Sequence, residues 1–116
     1  MSKVASKEVL VKAMTEDQLL NAVIGAAMMQ NWLAHHTRPA WSEKGWRTPI
    51  QGSPGFFDLV LARGGHIIIA ELKSERGNLS KDQRAWSHAV GKPQSVRKVL
   101  WRPQNWVSGE IWEELE

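Results

Sequence analysis

The chain contains no cysteine and no tyrosine. The missing cysteines exclude disulfides and thiolate metal sites and leave the redox compartment open. Long apolar runs are missing too. The stretch Ile67 to Ala70 is broken by Glu71, far short of the roughly 20 residues needed to span a bilayer. The first residues, Met1 to Lys7, have no apolar segment followed by a cleavage site, so they do not read as a signal peptide. A cytoplasmic, non-membrane protein is expected. There is no internal repeat and no low-complexity segment.

What is present fits one domain over residues 1–116, with 42% hydrophobic and 23% charged residues. The formal charge of +3 hides an asymmetry. All 15 Lys and Arg lie at or before Arg102, whereas Glu110, Glu113, Glu114 and Glu116 crowd the end of the chain. A basic body with an acidic tail suits a polyanionic partner. Seven tryptophans are many for this length, and packing in a core or dimer explains them more simply than base stacking.

Residues 3–14 have helical spacing and form a possible N-terminal helical arm within 1–14. Thr15-Glu16-Asp17-Gln18 reads as a capping box, opening a helix from Glu16 to about Ala34 with Leu19, Leu20, Val23, Ile24 and Ala27 on one stripe. From His35 to Gln51 the pattern is less regular, with Pro39 and Pro49 as breakers and short strands expected near His35 and near Trp46 to Thr48. Phe56 to Ala62 reads as a strand, Gly64-Gly65 as a hairpin turn and His66 to Lys73 as a second, largely buried strand. Ser80-Lys81-Asp82-Gln83 is another capping box, heading a helix to about Val90. Val96 to Trp101 is a last strand stopped by Pro103. An acidic C-terminal helix, capped by Ser108, is expected within 107–116. The order α-β-β-β-α-β-α makes an α+β (α/β) domain with a central mixed β-sheet.

Two carboxylates and a lysine stand out. A turn at Gly64-Gly65 pairs Arg63 with His66 and therefore Asp58 with Glu71, on one face and with Cβ atoms roughly 5 Å apart. Lys73 is two residues on and shares that face, while Leu72 points into the core with Ile68 and Ala70. A salt-bridge lattice on a solvated face is the bland reading. Against it, the neighbours Ile67 to Ala70 are apolar, so the charges interrupt a core strand. Facing carboxylates repel, and a divalent cation removes the conflict. Bound Mg²⁺ polarises a phosphate and acidifies a water, and Lys73 is suited to orient that water and stabilise charge on phosphorus.

Glu16 lies at the centre of the apolar stripe of its helix. It is either a first-turn acid favouring the macrodipole or a further metal ligand. Gln83 is either the closing residue of a capping box or a group reaching the site from a helix N-terminus. His35 and His36 read as strand-edge residues, since no third nitrogen ligand is spaced to join them.

Taken together, Gly55-Phe56-Phe57-Asp58-Leu59-Val60-Leu61, Ile69-Ala70-Glu71-Leu72-Lys73-Ser74-Glu75 and Leu79-Ser80-Lys81-Asp82-Gln83-Arg84-Ala85-Trp86 resemble the virus-type replication-repair nuclease (VRR-NUC) domain of the PD-(D/E)XK phosphodiesterase superfamily. The resemblance runs from about Glu16 through Trp106. The family's Pro-Asp is Phe57-Asp58 here. The resemblance implies a PD-(D/E)XK core in which Glu16, Asp58, Glu71 and the Leu72 carbonyl hold Mg²⁺ (or Mn²⁺), with Lys73 and Gln83 completing the site. It also implies a phage-type homodimeric endonuclease acting on branched DNA such as four-way junctions, its paired sites suiting paired incisions. DNA contacts are then expected mainly at phosphates, from Arg76, Lys81 and Arg84 nearest the site and from Arg38, Lys44 and Arg47. The alternatives are a monomeric nuclease acting on flaps or nicks, and a catalytically silent nucleic-acid-binding module of the same fold.

Overall fold

The computed structural model describes residues 3–37, 40–42, 45–47 and 51–116. Two helices come first, α1 (Lys3–Ala13) and α2 (Glu16–Met29). Thr15 Oγ1 accepts from the Gln18 N–H (3.1 Å) and Gln18 Oε1 accepts from the Thr15 N–H (2.9 Å), so the expected capping box is complete. The helix ends at Met29 rather than near Ala34. Asn31 adopts φ 67°, its N–H donates to Met28 O and the Trp32 N–H donates to Ala27 O, which is a Schellman motif with Asn in the usual glycine position.

The strands are β1 (Leu33–His36), β2 (Ala40–Ser42), β3 (Gly45–Arg47), β4 (Leu59–Arg63), β5 (His66–Leu72) and β6 (Val96–Trp101). Helix α3 (Lys81–Val90) precedes β6, and α4 (Pro103–Val107) and α5 (Glu110–Leu115) follow it. A four-stranded sheet runs β1-β4-β5-β6. Its first three strands are antiparallel and β6 is parallel to β5, while β2 and β3 pair separately. This is an α+β domain with a mixed sheet flanked by helices, as expected, but with more short elements than the sequence suggests.

Gly64 and Gly65 (φ 55° and 85°) make the hairpin turn and put Arg63 opposite His66. Both flanking strands are shorter than expected. β4 starts at Leu59, so Asp58 lies one residue before it. Among the described residues the β1–β4 ladder runs from Leu33↔Ala62 to His36↔Leu59. On the other side the Asp58 carboxylate, rather than a backbone carbonyl, accepts the Leu72 N–H (2.8 Å). Lys73 lies one residue past β5, although its N–H still donates to Trp101 O (3.1 Å).

One face of the sheet (Leu59, Leu61, Ile68, Ala70, Leu72, Val99 and Trp101) packs on Leu19, Val23, Ala26 and Ala27 of α2 and on Ile111 and Leu115 of α5. Strand alternation turns Ile69, Glu71 and Lys98 to the other face. There Lys98 Nζ donates to Ser87 O of α3 (2.7 Å). Pro103 both stops β6 and starts α4, since a first helical position needs no N–H. The cap of α5 is Gly109 at φ 90°, one residue after Ser108, whose Oγ accepts from the Glu110 N–H (3.3 Å). The core tryptophan Trp32 donates to Leu115 O (2.9 Å). Arg63 lies 4.5 Å over its ring and donates to Gln30 O and Glu116 O. Among the described residues no helix is long and apolar enough to cross a membrane.

Candidate active site

Glu71 occupies the C-terminal end of β5 and is 2% exposed, and it is the one buried charged residue among those described. Gln83 Nε2 donates to its Oε2 (3.0 Å). Its Oε1 is buried and has no hydrogen-bond partner among the described residues. The Asp58 carboxyl is close enough to repel it. Burial first, then the neighbouring Asp58 carboxyl, push the Glu71 carboxyl up to about 8, against the opposing pull of Lys73.

Asp58 is fixed from two directions. Its Oδ2 accepts the Leu72 N–H, and its carbonyl accepts from His36 Nδ1 (2.8 Å). His36 thus steadies the backbone of a site residue, a role that the sequence does not signal. Glu16, in the first turn of α2, is half-buried beside Lys73 and Asp58. Burial raises its carboxyl above the usual range, Lys73 lowers it, and Asp58 and Asp17 raise it again. The helix that covers one face of the sheet therefore sends a carboxylate round the strand ends to the other.

Gln83 performs both of the tasks left open by the sequence. Its Oε1 accepts from the Ser80 N–H (2.9 Å), completing the capping box of α3, while its Nε2 holds Glu71. Gly55 makes this approach possible. At φ 90°, a Cβ on it would lie 2.6 Å from the Asp82 carbonyl carbon, so the chain leading to Asp58 passes directly against the first turn of α3. Phe57, where the resembled family has proline, is buried and packs edge-on against Phe56 (5.4 Å), which in turn meets Trp86 of α3 (4.9 Å).

Behind the site, Arg102 Nη1 donates to Ser74 O (2.8 Å), Gly77 O (2.7 Å) and, more weakly, Glu75 O (3.3 Å). This pins the loop that follows Lys73. A single arginine before Pro103 carries no sequence signal for that task.

No family model matches the sequence, and no curated protein matches it either.

The structure therefore gathers Glu16, Asp58, Glu71, Lys73 and Gln83 around the end of β5. Among the described residues, no three His, Asp or Glu side chains form a ready-made metal-ligand group. Of the expected DNA contacts, Arg76, Lys81 and Arg84 are exposed, in the loop after Lys73 and the first turn of α3. Arg38 and Lys44 lie outside the described residues, and of Arg47 only the backbone, in β3, is described.

Proposed function

We propose that this protein is a divalent-metal-dependent nuclease that hydrolyses phosphodiester bonds in DNA, with Asp58, Glu71 and Lys73 as its catalytic residues. The observation that carries the reading is the buried, unpartnered Oε1 of Glu71 beside a second carboxyl. Leaving such an oxygen unsatisfied costs about 1–3 kcal/mol, more if it is charged. Folds keep such costs at sites of chemistry more often than elsewhere.

The residues fit a hard cation. Carboxylate oxygens suit Mg²⁺ or Mn²⁺, and one or two of them are enough when water and a substrate phosphate complete the shell. Asp58 and Glu71 would hold the ion, with the Leu72 carbonyl and Glu16 as the further ligands the resemblance implies. When bound, the metal polarises the scissile phosphate and acidifies a water. The chain's own contribution is electrostatic and positional. Lys73 offsets the negative charge that develops on the phosphoryl oxygens and orients the attacking water. Gln83 holds the Glu71 carboxylate by one oxygen and leaves the other free. The Leu72 N–H holds Asp58 by its Oδ2.

The mixed sheet flanked by helices supports a PD-(D/E)XK core, and the VRR-NUC resemblance supplies the preference for branched DNA and the homodimer. A panel of four-way, flap, nicked and linear DNAs, with and without Mg²⁺, tests the proposal. Cleavage should require the metal and fall at least about a hundredfold in Asp58→Asn and in Lys73→Ala, with folding retained. Equal behaviour of wild type and both variants would refute the enzyme reading. Cleavage confined to flaps or nicks, by a protein of monomeric mass, would transfer the chemistry to the monomeric alternative.

A further inference from the structure

Two cavities lie along α3 and β6, beyond the carboxylate cluster. The first, of about 510 Å³, is lined by Arg84, His88, Lys92 and Lys98, and no acidic side chain among the described residues lines it. The second, of about 630 Å³, shares Lys92 and Lys98 and continues to Arg97, Arg63 and one acid, Glu114, at the hairpin end of the sheet. Some of these charges are spent on the fold. Arg97 is paired with Glu114, and Arg63 is bound to the oxygens of Gln30 and Glu116.

The others are not spent. Lys92 and His88 are exposed, with no hydrogen-bond or ion-pair partner among the described residues. Lys98 Nζ gives one hydrogen to Ser87 O, and Arg84 Nη1 gives one to Leu79 O. Each keeps further donors for a ligand. Residues 81, 84 and 88 fall on one helix face, and the turn at Gly91 (φ 66°) carries the row on to Lys92. From Gln83 at the cleavage centre, this row runs the length of α3. Ten residues of helix span about 15 Å, or roughly four base pairs of duplex.

We propose that the α3–β6 face, from Lys81 through Arg84 and His88 to Lys92 and Lys98, is a docking track for the phosphate backbone of a duplex arm leading away from the cleavage centre. Its direction rests on the nuclease reading, whereas its ligand chemistry rests on the first cavity. Three cations, Arg84, Lys92 and Lys98, around an acid-free hollow suit phosphates. Single-strand binding would call for aromatic platforms. Trp86 of α3 is committed instead to Ser53 O through its N–H and to Phe56 through its ring.

The test is fluorescence anisotropy of a labelled duplex of about 25 base pairs, titrated without divalent ions over a series of salt concentrations. The full-length protein is compared with Lys92→Glu and with the double variant His88→Glu/Lys92→Glu. Both positions are exposed, and circular dichroism checks their folding. Wild type should bind in a strongly salt-dependent way. The double variant should bind at least about tenfold more weakly, with a salt slope smaller by about one for each lost phosphate contact. Unchanged affinity and slope, or no wild-type binding at all, would overturn the track. Because binding is read without metal, a wild type that binds but never cuts would count against the nuclease and leave the track standing.

Discussion

Replacing Glu71 by glutamine should separate folding from chemistry. The folded carboxyl is held at about 8, well above its ordinary value of 4.5. A raised folded value means stability that is fully present below about 4.5 and lost as pH rises through about 8. Metal-free wild type should therefore melt at falling temperature from pH 5 to pH 8.5, over a range worth on the order of a few kcal/mol. Glutamine carries no proton to lose and offers an N–H to Asp58. Glu71→Gln should flatten that profile and lie above wild type at pH 8.5, while cleavage disappears. Thermal melts across the pH range decide it, and a parallel loss of stability in the variant would refute the account. The site's core was legible at this scale because the hairpin turn set the register. His36 and Arg102 were not, because each acts on a carbonyl that only the folded chain brings near.

Loop and helix meet at Gly55, and the site depends on that meeting. An alanine there would place Cβ against the Asp82 backbone, and the position also holds φ 90°. Strain of this kind costs roughly 1–3 kcal/mol even before the clash. Gly55→Ala should lower stability by about 2 kcal/mol or more and push the first turn of α3, with Gln83, away from Glu71. Denaturant unfolding and cleavage rate should fall together; an unaltered rate would show that the approach is not needed. Both capping boxes were readable because they are local, spaced three residues apart. The end of α2 was not. Gln30 to Ala34 contains neither glycine nor proline, and Trp32 is held by Leu115 from the far end of the chain.

Across the whole molecule, stability and chemistry sit at opposite ends of the sheet. Leu115 is fully buried, on the side where Trp32 and Arg63 receive the C-terminal helix. Leu115→Ala should cost about 2–5 kcal/mol, visible as a lower melting temperature. Cleavage measured well below that temperature should be unchanged, since Glu71 lies at the other end of β5. A falling rate at low temperature would mean that the two ends communicate. The α+β class and the mixed sheet were legible from element order. The flanking pair β2–β3 and the division of the tail into α4 and α5 were obscured, by prolines and by apolar periods too short to read.

Gln83 restricts what the chain can be at that position. As the third residue of a capping box, glutamine and glutamate serve α3 equally well. Only the amide can also give a hydrogen to Glu71, whereas Gln83→Glu would bring a further carboxylate against Oε2. A library randomised at position 83 and sorted for folded protein should return both letters. Sorted for cleavage, it should return one. If glutamate survived both sorts, the contact between Gln83 and Glu71 would be incidental to activity.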